Sequence, residues 1–112
     1  MPRFTFRQLE YLVAVGDTGS IARASENLNV SSPSISSAIS QLEEELGISL
    51  FVRQHAQGLS TTKGGCRVID QAKRVLKEAA TTWQAFHFAD EKLEDQYKES
   101  VALRGLQPAR RI

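Results

Sequence analysis

The spacing of apolar residues predicts three short helices in the first half of the chain. Thr5 and Gln8 form a capping-box pattern ahead of the first apolar repeat. Ser20 follows a turn of polar and glycine residues and can cap a second, shorter helix. Ser32 and Pro33 mark the start of a third helix, because serine caps well and proline fits a first turn. Three short helices so close together predict a compact bundle.

The third helix has one apolar face and one polar face. Gly47 is placed to end the helix in a left-handed conformation. The apolar stripe is interpreted as core packing and consists of Ile35, Ile39, Leu42 and Leu46. The opposite face carries small hydroxyls and one amide, from Ser34, Ser36, Ser37, Ser40 and Gln41. Such groups let a backbone approach a duplex and bind phosphates or base edges, although a merely solvated face is the alternative.

The helical period breaks after the third helix and then resumes. Residues 50–52 and 59–61 are typical of two short strands around a loop. From Thr62 onward, apolar residues recur in steps of three and four that only Asp90 interrupts, which predicts a long helix. This repeat favours a homodimer interface over docking along the chain's own core. The predicted interface residues are Ile69, Ala72, Leu76, Ala79, Trp83, Phe86 and Leu93.

This order of elements predicts a mainly α fold, a winged helix-turn-helix followed by a long dimerisation helix. The three-helix bundle and its β-hairpin wing would occupy residues 1–61, and the long helix residues 62–100. Residues 101–112 show no strand pattern and are predicted to be a flexible tail. In this fold class the second helix of the helix-turn-helix pair enters the major groove of DNA.

The net charge of +1 conceals a strongly uneven distribution. Residues 1–49 carry a net charge of −3 and residues 78–99 of −4, whereas residues 50–77 carry +5. The basic segment covers the predicted wing and the start of the long helix, so its position favours a nucleic-acid partner. Within it, Arg53 and Lys63 are the preferred phosphate contacts. Arg23 is a further candidate, because the first helix of the helix-turn-helix pair crosses the DNA backbone.

Residues 4–80 resemble the LysR-type transcriptional regulators of bacteria. The resemblance lies in the segments FRQLEYLVAVGDTGS, SIARASENLNVSSPSIS and ISQLEEELGISLFVR, at the family's spacing. A fourth segment, Thr62 to Gly65, falls in the register of the Thr-x-Ala-Gly motif that opens the family's linker helix. The resemblance implies a DNA-binding regulator that acts as a dimer, and it leaves open a higher oligomer where a parent protein carries an effector domain.

The resemblance also implies which residues meet DNA. Ser31, Ser32, Pro33, Ser36 and Ser37 occupy the family's DNA-contacting positions, and Arg53 lies at the base of the wing. Three positions depart from the family. It commonly has glutamine at Ser32, arginine at Ser37 and a basic residue at Gln57 in the wing tip. The loss of long side chains predicts weaker or differently specified binding.

Other chemistry is excluded by what the sequence lacks. One cysteine, Cys66, and two separated histidines give neither a disulfide nor a zinc-ligand spacing, so no metal or cofactor is expected. The consecutive acids Glu43, Glu44 and Glu45 are interpreted as solvated. The sequence shows neither a glycine-rich phosphate loop nor a nucleophile elbow, so no enzymatic activity is expected. No apolar run approaches the ~20 residues that span a bilayer. The expected location is the cytoplasm, in association with the nucleoid.

Two functions remain open at the level of the sequence. The first is a sequence-specific regulator that binds double-stranded DNA as a dimer, with the third helix in the major groove and the wing on the backbone or minor groove. The alternative is a winged-helix interaction module that pairs with a related regulator and binds DNA weakly itself. The family carries an effector-binding α/β domain after the linker helix, and no pattern of that kind is expected within these residues.

Overall fold

The structure, a computed structural model, describes residues 3–54 and 58–104, and the side chains of residues 3–54 and 58–87. Four helices and two strands follow one another: α1 (Phe6–Thr18), α2 (Ile21–Leu28), α3 (Ser32–Leu46), β1 (Phe51–Gln54), β2 (Gly58–Thr61) and α4 (Lys63–Arg104). This order confirms the predicted winged helix-turn-helix with a long final helix. The chain forms two units, Met1–Lys77 and Glu78–Ile112, so the first unit includes α4 as far as Lys77.

The first two helices begin at the caps that the sequence predicts. The Thr5 hydroxyl accepts a hydrogen bond from the Gln8 backbone N–H, and the Gln8 side chain accepts one from the Thr5 N–H. The Ser20 hydroxyl accepts from the Arg23 N–H and caps α2. This helix ends at Asn29, whose left-handed backbone (φ 59°) makes the tight turn into the next helix.

The start of α3 differs by one residue from the sequence prediction. Ser31, and not Ser32, is the capping residue, because its extended backbone lets its hydroxyl accept from the Ser34 N–H. Ser32 already lies in the helix, and Pro33 occupies the first turn, where a missing N–H costs nothing. Gly47 ends the helix in the left-handed conformation, as predicted.

The wing is an antiparallel hairpin that is fastened to the helices at both ends. Phe51 lies opposite Thr61, and Gln54 lies opposite Gly58. The Leu59 N–H donates to the carbonyl of Gly19 after α1. At the other end, the Glu43 carboxylate accepts from the Leu50 N–H at 2.7 Å. The interpretation of Glu43 as a merely solvated acid is therefore wrong, because it joins α3 to the wing.

Two groups of buried side chains form the core of the first unit. Leu9, Leu12, Leu42, Leu50, Ile69 and Ala72 form one group. Val15, Ala24, Ile35 and Ile39 form the other. Removing a leucine or isoleucine side chain of this kind from water stabilises a fold by roughly 1.5–3 kcal/mol. The predicted stripe of α3 is thus buried except at its last member, Leu46, which is the final residue of the helix and is 47% exposed.

The core corrects part of the predicted dimer interface. Ile69 and Ala72 are buried against α1, α3 and Leu50 of their own chain, and Leu76 packs half-buried against the same group. For these three residues, docking along the chain's own core accounts for the apolar pattern without a partner. Only the later members of the stripe remain candidates for a dimer contact.

Helix α4 begins after Thr62, which fastens it to the start of the wing. The Thr62 hydroxyl accepts from the Gly65 N–H at 2.8 Å and donates to the Ser49 carbonyl at 2.7 Å. The helix continues to Arg104, four residues beyond the predicted end at 100. The predicted tail from 105 onward lies outside the described residues, as does Gln57. Within the described part of the chain, no helix is both long and apolar enough to cross a membrane.

Candidate nucleic-acid interface

The outer face of α3 is built from short polar side chains. Ser34, Ser36, Ser37, Ser40 and Gln41 are all exposed, on the side opposite the buried Ile35 and Ile39. Ser31 and Pro33 are exposed at the start of the helix, and Ser32 is half-buried. The Ser31 and Ser34 hydroxyls lie 2.7 Å apart and share a hydrogen bond. The face therefore offers hydroxyls and one amide, and most of these groups lie close to the backbone of α3.

The first groove beside this face lies between α1 and α3. Its volume is about 580 Å³. From α3 it is lined by Pro33, Ser34, Ser37, Ala38 and Gln41, and from the start of α1 by Thr5, Arg7, Gln8 and Tyr11. The Gln8 side chain bridges the two helices, because its Nε2 donates to Gln41 Oε1 at 2.9 Å. This groove joins four of the predicted DNA-contacting residues to a cationic side chain of α1.

On its other side, α3 faces the wing. Ser36 and Ser40 line a small recess of about 220 Å³ together with the side chain of Arg53. Arg53 also lines an adjoining groove of about 470 Å³, with Ser20 and Ala22 at the start of α2 and Gly58 across the hairpin. The predicted phosphate contact at the base of the wing is thus brought next to the hydroxyl face of α3.

The remaining basic residues are distributed around the unit. Arg23 on α2 and Lys63 at the start of α4 are exposed, but neither lines the two grooves beside α3. Lys73 makes an ion pair with Asp17 of α1, with 3.0 Å between Nζ and Oδ1. Because both side chains are half-exposed, this pair adds little stability, yet it neutralises one charge of the basic segment.

Sequence reasoning missed the contribution of α1 to this surface. Arg7 and Tyr11 line the α1/α3 groove, and Gln8, the second member of the capping box, contacts α3 directly. The available signal was the charge of Arg7 next to a capping box at the start of a helix. Which helix this end would face, however, depends on tertiary packing and not on periodicity.

The second unit carries an exposed aromatic group on α4. Trp83 is 69% exposed and Phe86 is 66% exposed, whereas Ala79 is half-buried. The Trp83 ring stacks on His87, with 6.4 Å between ring centroids. The Leu93 side chain lies outside the described residues. Exposed aromatic side chains at helical spacing are typical of a surface that packs against another helix.

The described residues contain no group of three or more acidic, histidine or cysteine side chains placed to hold a metal ion. Cys66 is exposed and makes no disulfide. The chemical resources of the surface are therefore hydroxyls, amides and basic side chains, which bind phosphates and base edges.

Residues 6–66 match the model of the bacterial regulatory helix-turn-helix proteins of the lysR family. The chain is 41% identical over 71 residues to the HTH-type transcriptional regulator ClcR of Pseudomonas putida, covering 63% of this chain and 24% of ClcR. It is 42% identical over 72 residues to the dual regulator OxyR of Escherichia coli K12, covering 64% of this chain and 23% of OxyR. The chain thus spans about a quarter of the length of these relatives.

Solved structures agree with the sequence matches. A CbnR DBD–DNA complex is similar with a TM-score of 0.72 and 34% identity, over 78% of this chain and 99% of that one. A BenM DBD/catB site 1 DNA complex gives a TM-score of 0.74 and 30% identity, over 78% and 97%. The helices, the hairpin and the family match agree, and the chain belongs to the lysR family of bacterial regulatory helix-turn-helix proteins.

Proposed function

We propose that this chain is the DNA-binding part of a sequence-specific transcriptional regulator. The exposed hydroxyl face of α3, flanked by Arg53 of the wing, carries this proposal. In it, α3 enters the major groove of double-stranded DNA, while the wing and Lys63 bind the backbone. Similar chains that were solved as complexes with DNA support the proposal that this chain binds DNA. The site of action would be the nucleoid in the cytoplasm, and no enzymatic role is proposed.

We further propose that the protein binds DNA as a homodimer through α4. Trp83 and Phe86, together with Ala79 and Leu93, would form the contact, because two exposed aromatic rings favour a partner helix. Two recognition helices would then read half-sites one or two turns of DNA apart.

Selection of bound duplexes, followed by a salt titration, tests the DNA-binding proposal. We expect a preferred, partly palindromic sequence and a steep loss of affinity with added salt. Arg53→Gln and Lys63→Gln should each lower the slope of log affinity against log salt by roughly one unit. Lys73→Gln is the matched control, since it removes the same single charge from a lysine that is paired with Asp17 and lines neither groove beside α3. A flat salt profile without a preferred sequence would contradict the proposal.

A second candidate function rests on the same aromatic group. The short side chains of α3 offer little base reading, while Trp83 and Phe86 offer an exposed helix contact. The chain would then pair with a related regulator and block it, as an interaction module. Co-expression with a full-length relative and sizing of the purified particles separates the two functions. Particles that contain only this chain would count against the module.

A further inference from the structure

A chain of three hydrogen bonds leads from Thr5 at the start of α1 to Gln41, and one of the three joins α1 to α3. Within the capping box, the Thr5 backbone N–H donates to Gln8 Oε1 at 2.8 Å, and the Gln8 backbone N–H donates to Thr5 Oγ1 at 3.1 Å. The third bond leaves α1, because Gln8 Nε2 donates to Gln41 Oε1 at 2.9 Å. Thr5 and Gln41 are thus connected through a single side chain.

The direction of these bonds is fixed by the backbone. A backbone N–H can only donate, so the atom of Gln8 that faces Thr5 is its oxygen. The nitrogen of Gln8 therefore faces Gln41, and since it carries only donors, it requires the oxygen of Gln41. This arrangement occupies one of the two lone pairs of the Gln41 oxygen and leaves both N–H donors of Gln41 Nε2 for another molecule.

We infer that Gln8 is a positioning residue that presents Gln41 to DNA as a hydrogen-bond donor. This inference rests on the proposed function. Gln41 lies on the exposed face of α3 with Ser34 and Ser37, and it shares the α1/α3 groove with Arg7. Its donors suit the acceptor atoms of DNA, which are N7 and O6 of guanine, N7 of adenine, O4 of thymine and the phosphate oxygens.

A fixed amide distinguishes partners that a free amide does not. An unconstrained glutamine can turn its oxygen or its nitrogen outward and so pairs with donors and acceptors alike. With its oxygen held by Gln8, Gln41 favours the O6 or O4 acceptors of guanine and thymine over the amino donors of adenine and cytosine. This gives the helix one directional contact among its hydroxyls.

Gln8→Glu tests this inference because it retains the capping box of α1 and reverses the direction of the hydrogen bond between residue 8 and Gln41. A glutamate oxygen still accepts from the Thr5 N–H, as in the usual capping box, but it cannot donate to Gln41. The Gln41 amide then turns to donate to this carboxylate and leaves its oxygen for DNA. At one base pair, we expect the preferred contact to change from guanine O6 or thymine O4 to the amino group of adenine or cytosine, with a change in relative affinity of about 3- to 10-fold. Gln41→Ala should remove the preference at that base pair.

The measurement is a binding panel in which each base pair of the selected duplex is varied in turn. Gln71→Glu adds the same charge on the exposed side of α4 and should weaken all duplexes equally. If the acceptor is a phosphate, Gln8→Glu weakens all duplexes more than Gln71→Glu, and one methylphosphonate linkage abolishes the difference. If wild type has a preferred sequence and Gln8→Glu behaves like Gln71→Glu, the inference is wrong.

A readout without DNA separates this inference from the proposed function. In NMR spectra, Gln41→Ala should shift the side-chain amide resonances of Gln8, because their acceptor is lost. Unchanged resonances would show that Gln8 does not donate to Gln41, and the inference would be wrong. If the resonances shift but the protein prefers no duplex sequence, the hydrogen bond from Gln8 to Gln41 is real. Both its role in DNA binding and the proposed function are then wrong.

Discussion

At the scale of single residues, the junction of the wing with α4 depends on Gly65. A Cβ atom there would overlap the carbonyl oxygen of Leu50 and would lie 2.9 Å from the Thr61 Cγ2 atom. Gly65→Ala should therefore lower the free energy of unfolding by about 1–3 kcal/mol, since a backbone carbonyl cannot move aside cheaply. Urea denaturation followed by circular dichroism measures this loss.

The neighbouring glycine supplies the control. At Gly64 an added Cβ atom meets the end of the Ile48 side chain at 3.0 Å, which can rotate away. Alanine also favours a helix over glycine by about 1 kcal/mol, so Gly64→Ala should leave stability unchanged or raise it. Equal stability of both variants would show that the contact at Gly65 is relieved elsewhere.

At this scale, contacts within one local pattern could be predicted from the sequence, whereas contacts between distant residues could not. The capping pairs of α1 and α2 span three residues and could be predicted, because both partners lie in one local pattern. Glu43 bonds to Leu50 across the turn at Gly47, and Gln8 bonds to Gln41 across 33 residues. Neither bond could be predicted from the spacing of residues in the sequence, since only the folded structure brings the partners together.

At the scale of elements, the cap of α3 can be tested directly. Ser31→Ala removes the hydroxyl that accepts from the Ser34 N–H, and it should destabilise the protein by about 1 kcal/mol. Ser32→Ala is the matched control and should leave stability unchanged or raise it by a few tenths of a kcal/mol, because Ser32 is already helical and alanine favours a helix over serine. Thermal unfolding of both variants gives the comparison, and a larger loss for Ser32→Ala would contradict the assigned cap.

The elements themselves were predictable for reasons that also explain the main error. Apolar periodicity and caps are local, so the three helices, the hairpin and the long α4 could all be inferred from the sequence. The same pattern does not say what covers an apolar stripe. By spacing, Ile69 and Ala72 are compatible both with a partner helix, which the repeat favours, and with the core of their own chain. Only the packing of α1 and α3 against α4 decides between the two.

At the scale of the whole molecule, the distribution of charge matters more than its sum. The basic segment of residues 50–77 stands against acidic flanks, and one of its lysines is paired with Asp17 of α1. The outer face of α3 carries no basic side chain of its own. DNA affinity should therefore depend on Arg53, Lys63 and the presence of two copies, and less on the recognition helix.

The proposed dimer can be tested by removing its aromatic contact. Trp83→Ala combined with Phe86→Ala should raise the dimer dissociation constant at least about 10-fold, because both rings would lose a buried partner surface. Gln84→Ala, at an exposed site between them, should leave it unchanged. Sedimentation measured over a range of concentrations gives the constant. A double variant that dimerises like wild type would place the interface elsewhere.

Duplex binding by the same variants shows whether dimerisation serves DNA recognition. The double variant should bind a single half-site as wild type does, because the surfaces of α3 and the wing lie in the other unit. It should lose affinity for a duplex with two half-sites, since the second contact is no longer made at a high effective concentration. Equal losses on both duplexes would mean that the aromatic group supports the fold of the DNA-binding unit itself.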